Sequence, residues 1–173
     1  MRPEPLEGAA RFVQGIRPVS SNTRFRSYDS MRSRHRPSVL IVDDDAHVLR
    51  SVIRSLKMWE EDWVVRAARS GPDALESLAR DGAVDVLLAD LRMPGMDGLE
   101  LAAKVKEQYP DVVRVAHTGA HDLLERTRGS GLFDSVLVKP AKADQIKMVL
   151  LSALQRRRML REAEEKDSSP GVG

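Results

Sequence analysis

Two apolar runs in this chain stop abruptly at aspartate. Val39-Leu40-Ile41-Val42 leads into Asp43-Asp44-Asp45, and Val84-Asp85-Val86-Leu87-Leu88-Ala89 leads into Asp90. Short β-rich runs bounded by charge read as strands buried on both faces, the mark of a parallel sheet. In open parallel sheets, chemistry gathers just beyond the carboxyl ends of the strands. If both strands share one sheet, three or more carboxylates converge in one crevice. Like charges that close cannot all stay ionised unaided, so either a pKa rises or a cation sits among them. A hard divalent ion, Mg2+ (or Mn2+), suits oxygen ligands and points to phosphoryl chemistry.

At 173 residues the chain has room for one ordinary domain plus tails. The apolar share of 42% supports a real core, and with aromatics at 4% that core must be aliphatic. Cysteine is absent, which excludes disulfides, thiolate metal sites and cysteine nucleophiles. No run approaches membrane-spanning length, and the amino terminus lacks the apolar stretch of a secretory signal. A cytoplasmic protein with no membrane association is the expectation. The net charge of +2 is unevenly spread: residues 1–37 carry +5 and the rest −3. The high pI therefore reflects the arm more than the domain and is weak support for nucleic-acid binding.

Residues 1–37 combine Pro, Ser, Gly and scattered Arg without a sustained period, so a disordered arm is expected. Met31, just ahead of the first strand, is a candidate second start of translation. From Ser38 onward strands and helices alternate. Strand 38–42 precedes a helix at 46–58 with Val48, Leu49, Val52, Ile53 and Leu56 at helical spacing. A strand at 63–67 precedes a helix at 72–80, with Pro72 at its first turn. Strand 84–89 leads through turn residues into a helix at 98–108, which stops before Pro110. Strands at 112–116 and 133–138 flank a short, glycine-broken helix at 121–130. The last helix starts near Lys142 and runs toward Glu165. The fold class expected is α/β: a doubly wound five-stranded parallel sheet with helices on both faces.

The last helix has an ordinary apolar stripe in Ile146, Val149, Leu150, Ala153 and Leu154. Beyond Gln155 it is charged nearly all round, which reads as a solvated, fraying extension at 155–173. A homodimer contact between such helices is an alternative, with too few apolar positions for a coiled coil. Residues 38–154 account for the domain, so an attached output module is not expected.

With these residues in view, 38–154 resembles the receiver domain of two-component response regulators, the CheY-like family. The resemblance implies the flavodoxin-like strand order 2-1-3-4-5 and a stand-alone receiver. It also implies roles: Asp43 and Asp44 as the acidic pair after strand one, Asp90 as phosphoacceptor, Thr118 as switch hydroxyl and Lys139, before Pro140, as the family lysine. Asp44, Asp90 and the Arg92 backbone carbonyl would be metal ligands, with Asp43 acting through water.

Each residue type suits its role physically. A carboxylate can attack phosphorus and form an acyl phosphate. It is a weak nucleophile, so positioning and charge neutralisation supply most of the rate. Lys139 offers a compact positive charge to a phosphate oxygen. Thr118 offers a hydroxyl that can register the phosphoryl group and draw in the following loop. Taken singly, these residues have blander explanations. Asp45 reads as a helix N-cap, Met93 and Met96 as packing, and His117 as a buried neutral histidine. Together at successive strand ends, with Asp-x-x-Met-Pro-x-Met-Asp-Gly between, they are highly specific. Val136 stands where the family often has an aromatic ring, so the usual ring rotation cannot occur. Arg92 and Ala120 hold positions that in the family tune hydrolysis of the acyl phosphate.

The function expected is phosphorylation of Asp90 by a histidine kinase or phosphotransfer protein, then recognition by an unidentified downstream protein. The domain would assist only its own phosphorylation and slow autodephosphorylation, and is not otherwise an enzyme. Three rivals differ in class. A DNA-binding transcriptional regulator would use the Arg-rich tails, but no helix-turn-helix pattern supports it. An aspartyl-phosphate phosphatase usually has a second Asp two positions on, where this chain has Arg92. A non-phosphorylated binding module would have no need of all five matched residues.

Overall fold

The computed structural model describes residues 36–57, 63–81, 84–119 and 121–167. The expectations for the arm, for Met31, for Ala120 and for the last six residues lie outside the described residues. Strand β1 (Ser38–Val42) is followed by helix α1 (Ala46–Lys57), β2 (Val64–Ala68), α2 (Gly71–Asp81), β3 (Val86–Ala89) and α3 (Gly98–Gln108). Then come β4 (Val113–Thr118), α4 (His121–Ser130), β5 (Ser135–Val138) and α5 (Ala143–Asp167). The sheet is parallel throughout, in the order β2-β1-β3-β4-β5.

Strand alternation divides the aliphatic side chains between two layers. Val39, Ile41, Val86, Leu88, Val113 and Val115 face one side, where Leu49, Val52 and Leu56 of α1 and Ile146, Leu150 and Ala153 of α5 close over them. Leu40, Val42, Leu87 and Ala89 face the other, against Ala74 and Leu78 of α2 and Leu101 and Val105 of α3. Burial on both faces is why β1 and β3 read as unbroken apolar runs rather than alternating ones. No described helix is long and apolar enough to cross a membrane.

Two features depart from the sequence expectation. Strand β4 runs two residues further, to Thr118, because Thr118 pairs in register with Val138 of β5. The second departure concerns α5, whose 25 residues span about 37 Å. Its charged tail is not simply solvated. Arg156 pairs with Asp134 at 3.2 Å, Arg157 with Asp111 at 3.3 Å and Arg161 with Asp85 at 2.8 Å. Arg157 is buried, and Asp85 also accepts the Ser38 backbone N–H at 2.8 Å. Those acids lie at the amino ends of the strands or in the loops leading into them. The tail is therefore held against the pole of the sheet opposite the aspartate cluster. Periodicity read it as solvated because its partners are remote in sequence.

Candidate functional site

The site follows from strand adjacency. β1 and β3 are neighbours with Val42 opposite Ala89, so the next residues, Asp43 and Asp90, emerge side by side. Their backbones stay tied to the sheet edge: Asp43 N–H donates to the Ala68 carbonyl at 3.2 Å, and Asp90 N–H to the Val42 carbonyl at 2.8 Å. Each carboxylate has one oxygen fixed locally. Asp43 Oδ1 accepts the Asp45 N–H at 3.0 Å, and Asp90 Oδ1 accepts the Leu91 N–H at 2.8 Å. Both residues are buried, whereas Asp44 is not. Oxygens of Asp43, Asp44 and Asp90 lie within 4.8 Å of one another.

Lys139 enters from the end of β5. Its backbone N–H donates to the Thr118 carbonyl at 2.9 Å, which ties the ends of β4 and β5 together. Its Nζ donates to Asp43 Oδ2 at 2.6 Å and lies 3.2 Å from Asp90 Oδ2. Thr118 is buried at the tip of β4, one strand away from Asp90. Val136 is half-buried opposite Ala116.

The loop after β3 is folded back under the site. Gly98 N–H donates to the Leu91 carbonyl at 3.0 Å. A side chain at Gly98 would place its Cβ 2.2 Å from the Asp90 carbonyl oxygen and 2.7 Å from Leu91 Cα. Both neighbours are backbone and cannot swing away, so only glycine permits this approach. Asp97 caps α3 in a reciprocal box with Glu100, which fixes where the helix starts relative to Asp90. Gly95 takes a φ of 75°, the left-handed turn that lets the Pro94-Gly95 segment reverse. Met93 is buried and Met96 half-buried in the α2–α3 layer, so both are packing residues. The Arg92 side chain is exposed.

Two further residues take the bland roles expected of them. Asp45 caps α1: its side chain accepts the His47 N–H at 2.7 Å, and its carbonyl accepts the Leu49 N–H. The bond from His47 is the main reason its carboxyl sits below the usual range. His117 is buried in β4, and its pKa is lowered to about 4. Desolvation is the chief cause; the nearby Lys139 charge adds to it and Asp43 partly opposes it.

The structure thus brings Asp43, Asp44, Asp90 and Lys139 together, places Thr118 beside them and leaves the Arg92 side chain in solvent. One ammonium faces three carboxylates, so the cluster has an excess of negative charge and only hard oxygen donors. That donor set fits a divalent cation. Sequence reasoning missed two elements of the arrangement. One is the direct ion pair of Lys139 with Asp43 across 96 residues. The other is the backbone approach of Gly98, whose only sequence signal was the Asp97-Gly98 pair after a strand-end loop.

Residues 39–151 match the family model described as the response regulator receiver domain. The transcriptional regulatory protein GlrR of Escherichia coli (strain K12) is 35% identical over 125 residues, covering 70% of this chain and 27% of that protein. The response regulator MprA of Mycobacterium ulcerans (strain Agy99) is 34% identical over 131 residues, 75% of this chain and 55% of that protein. The chain thus spans about a quarter of the length of one and about half of the other. Among solved structures, the signal receiver domain of an HD domain-containing protein from Pseudomonas fluorescens Pf-5 superposes with a TM-score of 0.68. It shares 29% identity, over 73% of this chain and 93% of that one.

Proposed function

The chain belongs to the response regulator receiver domain family, and from that membership we propose that Asp90 accepts a phosphoryl group from a histidine kinase or phosphotransfer protein. The supporting observation is the position of Asp90: a buried carboxylate at a strand end, one oxygen held by Leu91 N–H and the other 3.2 Å from Lys139 Nζ. In the transfer an Asp90 oxygen forms a bond to phosphorus, the phosphorus–nitrogen bond of the donor histidine breaks, and the imidazole leaves with that electron pair. Lys139 neutralises charge on the transferred group, and the backbone contacts hold the nucleophile in place beforehand.

Asp44, Asp90 and the Arg92 carbonyl would hold Mg2+ (or Mn2+), with Asp43 acting through water. A bound divalent ion supplies charge neutralisation for the phosphoryl oxygens. Thr118, buried at the end of β4, is the hydroxyl that registers the phosphoryl group. The domain is a signalling acceptor that assists its own phosphorylation and slow autodephosphorylation, acting in the cytoplasm through a downstream protein that distinguishes the two states. In the direct-DNA alternative Arg156–Arg158 would reach phosphates. Arg156, Arg157 and Arg158 are instead paired with Asp134, Asp111 and Glu162, which favours the protein-partner reading.

The test is labelling with acetyl phosphate and Mg2+, resolved on a phosphate-affinity gel. Wild type should shift in a magnesium-dependent, hydroxylamine-sensitive manner, and Asp90→Asn should not. Equal labelling of both proteins would rule out Asp90 as the acceptor.

A further inference from the structure

We propose that α5 beyond Gln155 is an ionic strap, closed over the amino-end pole of the sheet and able to open as a unit while the rest of the domain stays folded. The strap is independent of phosphoryl transfer. What holds the helix changes along its length. Up to Leu154 the hold is apolar: Ile146, Leu150 and Ala153 lie in the core, with Val149, Leu151 and Leu154 packed against it. Beyond Leu154 the apolar residues are Met159, Leu160 and Ala163, and all three are exposed. Met159 is 63% exposed and Leu160 42%. Hydrophobic burial scales with the apolar area removed from water, so it adds little to the docking of residues 156–167.

Charge holds that segment instead. Arg156 pairs with Asp134, Arg157 with Asp111 and Arg161 with Asp85. In each pair water reaches one partner: the side chains of Arg156, Asp111 and Arg161 are 60%, 52% and 33% exposed. Ion pairs open to solvent contribute little each and weaken as salt rises.

Opening leaves neither Asp85 nor Asp134 as a bare buried charge. Asp85 keeps the Ser38 N–H at 2.8 Å. Asp134 keeps the Arg114 backbone N–H at 2.9 Å and the Arg114 guanidinium at 3.4 Å. On the strap itself, Arg157 is buried with Nε and Nη1 lacking hydrogen-bond partners, and opening hydrates them. A buried cation with unmet donors opposes the closed state. Weak closing contacts and a hydration gain on release therefore bring the two states near balance. Residues 156–167 make about 18 Å of helix. A segment that short does not hold a helix alone, so undocking unwinds it and the stretch lets go together. Closed, Arg156, Arg157 and Arg161 are neutralised by carboxylates of the same chain. Open, they become available beside Met159 and Leu160.

The full chain has no cysteine, so Gln108→Cys and Ala163→Cys place two spin labels, both at exposed positions. At about 50 mM NaCl the labels should show one short distance; at about 500 mM a second population, longer by on the order of 10 Å, should appear. Adding Arg156→Gln and Arg161→Gln should produce the longer population already at the lower salt. Hydrogen exchange on the unlabelled chain reads the same event. Amides of residues 156–167 should share one opening free energy and exchange roughly tenfold or more faster at the higher salt, while those of residues 146–154 stay unchanged. A single distance in wild type at both salts overturns the proposal, as does exchange of residues 156–167 that merely tracks residues 146–154. Exchange graded inward from the carboxyl end and indifferent to Arg156→Gln with Arg161→Gln also overturns it, because that is simple fraying. The salt series uses no arginine variant, so it decides even where the Gln variant fails to fold.

Discussion

Lys139 Nζ donates to Asp43 Oδ2 at 2.6 Å, and the same ammonium reaches Asp90 Oδ2 at 3.2 Å. The lysine therefore serves as an internal counter-ion for two of the three carboxylates that would share a divalent cation. Lysine and cation compete for the same negative charge. Replacing Lys139 with Met should tighten Mg2+ binding, by something of order tenfold, as measured by calorimetric titration. The same variant should melt at lower temperature than wild type in chelator and recover when Mg2+ is added. Unchanged or weaker Mg2+ binding would refute the competition.

The backbone approach at Gly98 gives a second test. Gly98→Ala sets a methyl group against the Asp90 carbonyl and the Leu91 backbone. Overpacking of this kind costs roughly 1–3 kcal/mol or more, read by chemical denaturation, and should also disturb Mg2+ affinity by displacing Asp90. Gly71→Ala is the contrast, because the two atoms nearest its new Cβ are Met96 Sδ at 2.6 Å and Cγ at 2.7 Å, which can rotate away, leaving a smaller shift for Met96 Cβ at 2.9 Å. If both substitutions cost the same, the rigidity argued for the Gly98 contact is wrong.

His117 makes stability pH-dependent with a defined sign. Its folded pKa of about 4 lies below the ordinary value of 6.5, so the unfolded chain takes up a proton first as pH falls. The stabilisation is complete above about pH 6.5 and is lost progressively down to about pH 4. Over that window the loss attributable to this residue is of the order of 3 kcal/mol. His117→Leu should flatten the stability profile there, and Lys139→Met should raise the imidazole pKa followed by NMR. An imidazole titrating near 6.5 in the folded protein would contradict the burial.

At the opposite pole, the partners of α5 should respond unequally. Asp85→Ala strands the Ser38 N–H and the Arg161 guanidinium, at a cost of roughly 2–4 kcal/mol. Arg157 is buried with Nε and Nη1 lacking hydrogen-bond partners. Arg157→Met should therefore be neutral or stabilising in thermal denaturation. A large loss of stability in Arg157→Met would show that its pairing with Asp111 outweighs the desolvation of the guanidinium.

Much of this was legible in the sequence because the signals were local. Unbroken apolar runs at β1 and β3, helical spacing in α1 and turn residues before α3 specify elements one at a time, and strand-end position singles out Asp43, Asp90 and Lys139. What could not be read were relationships set by tertiary contact. Nothing near Lys139 in sequence announces Asp43, and nothing near Arg161 announces Asp85. Gly98 looked like a turn residue, whereas its need for a bare Cα comes from the carbonyl of Asp90 eight positions earlier. The end of β4 was misjudged for the same reason, since Thr118 is in the strand only because Val138 pairs with it.

The anchoring of α5 has a mechanical consequence. A helix gripped by the core over its first half and by three arginine–aspartate contacts over its second behaves as a beam supported at both ends. Any displacement of α5 therefore has to break contacts at the far pole of the sheet as well as in the core.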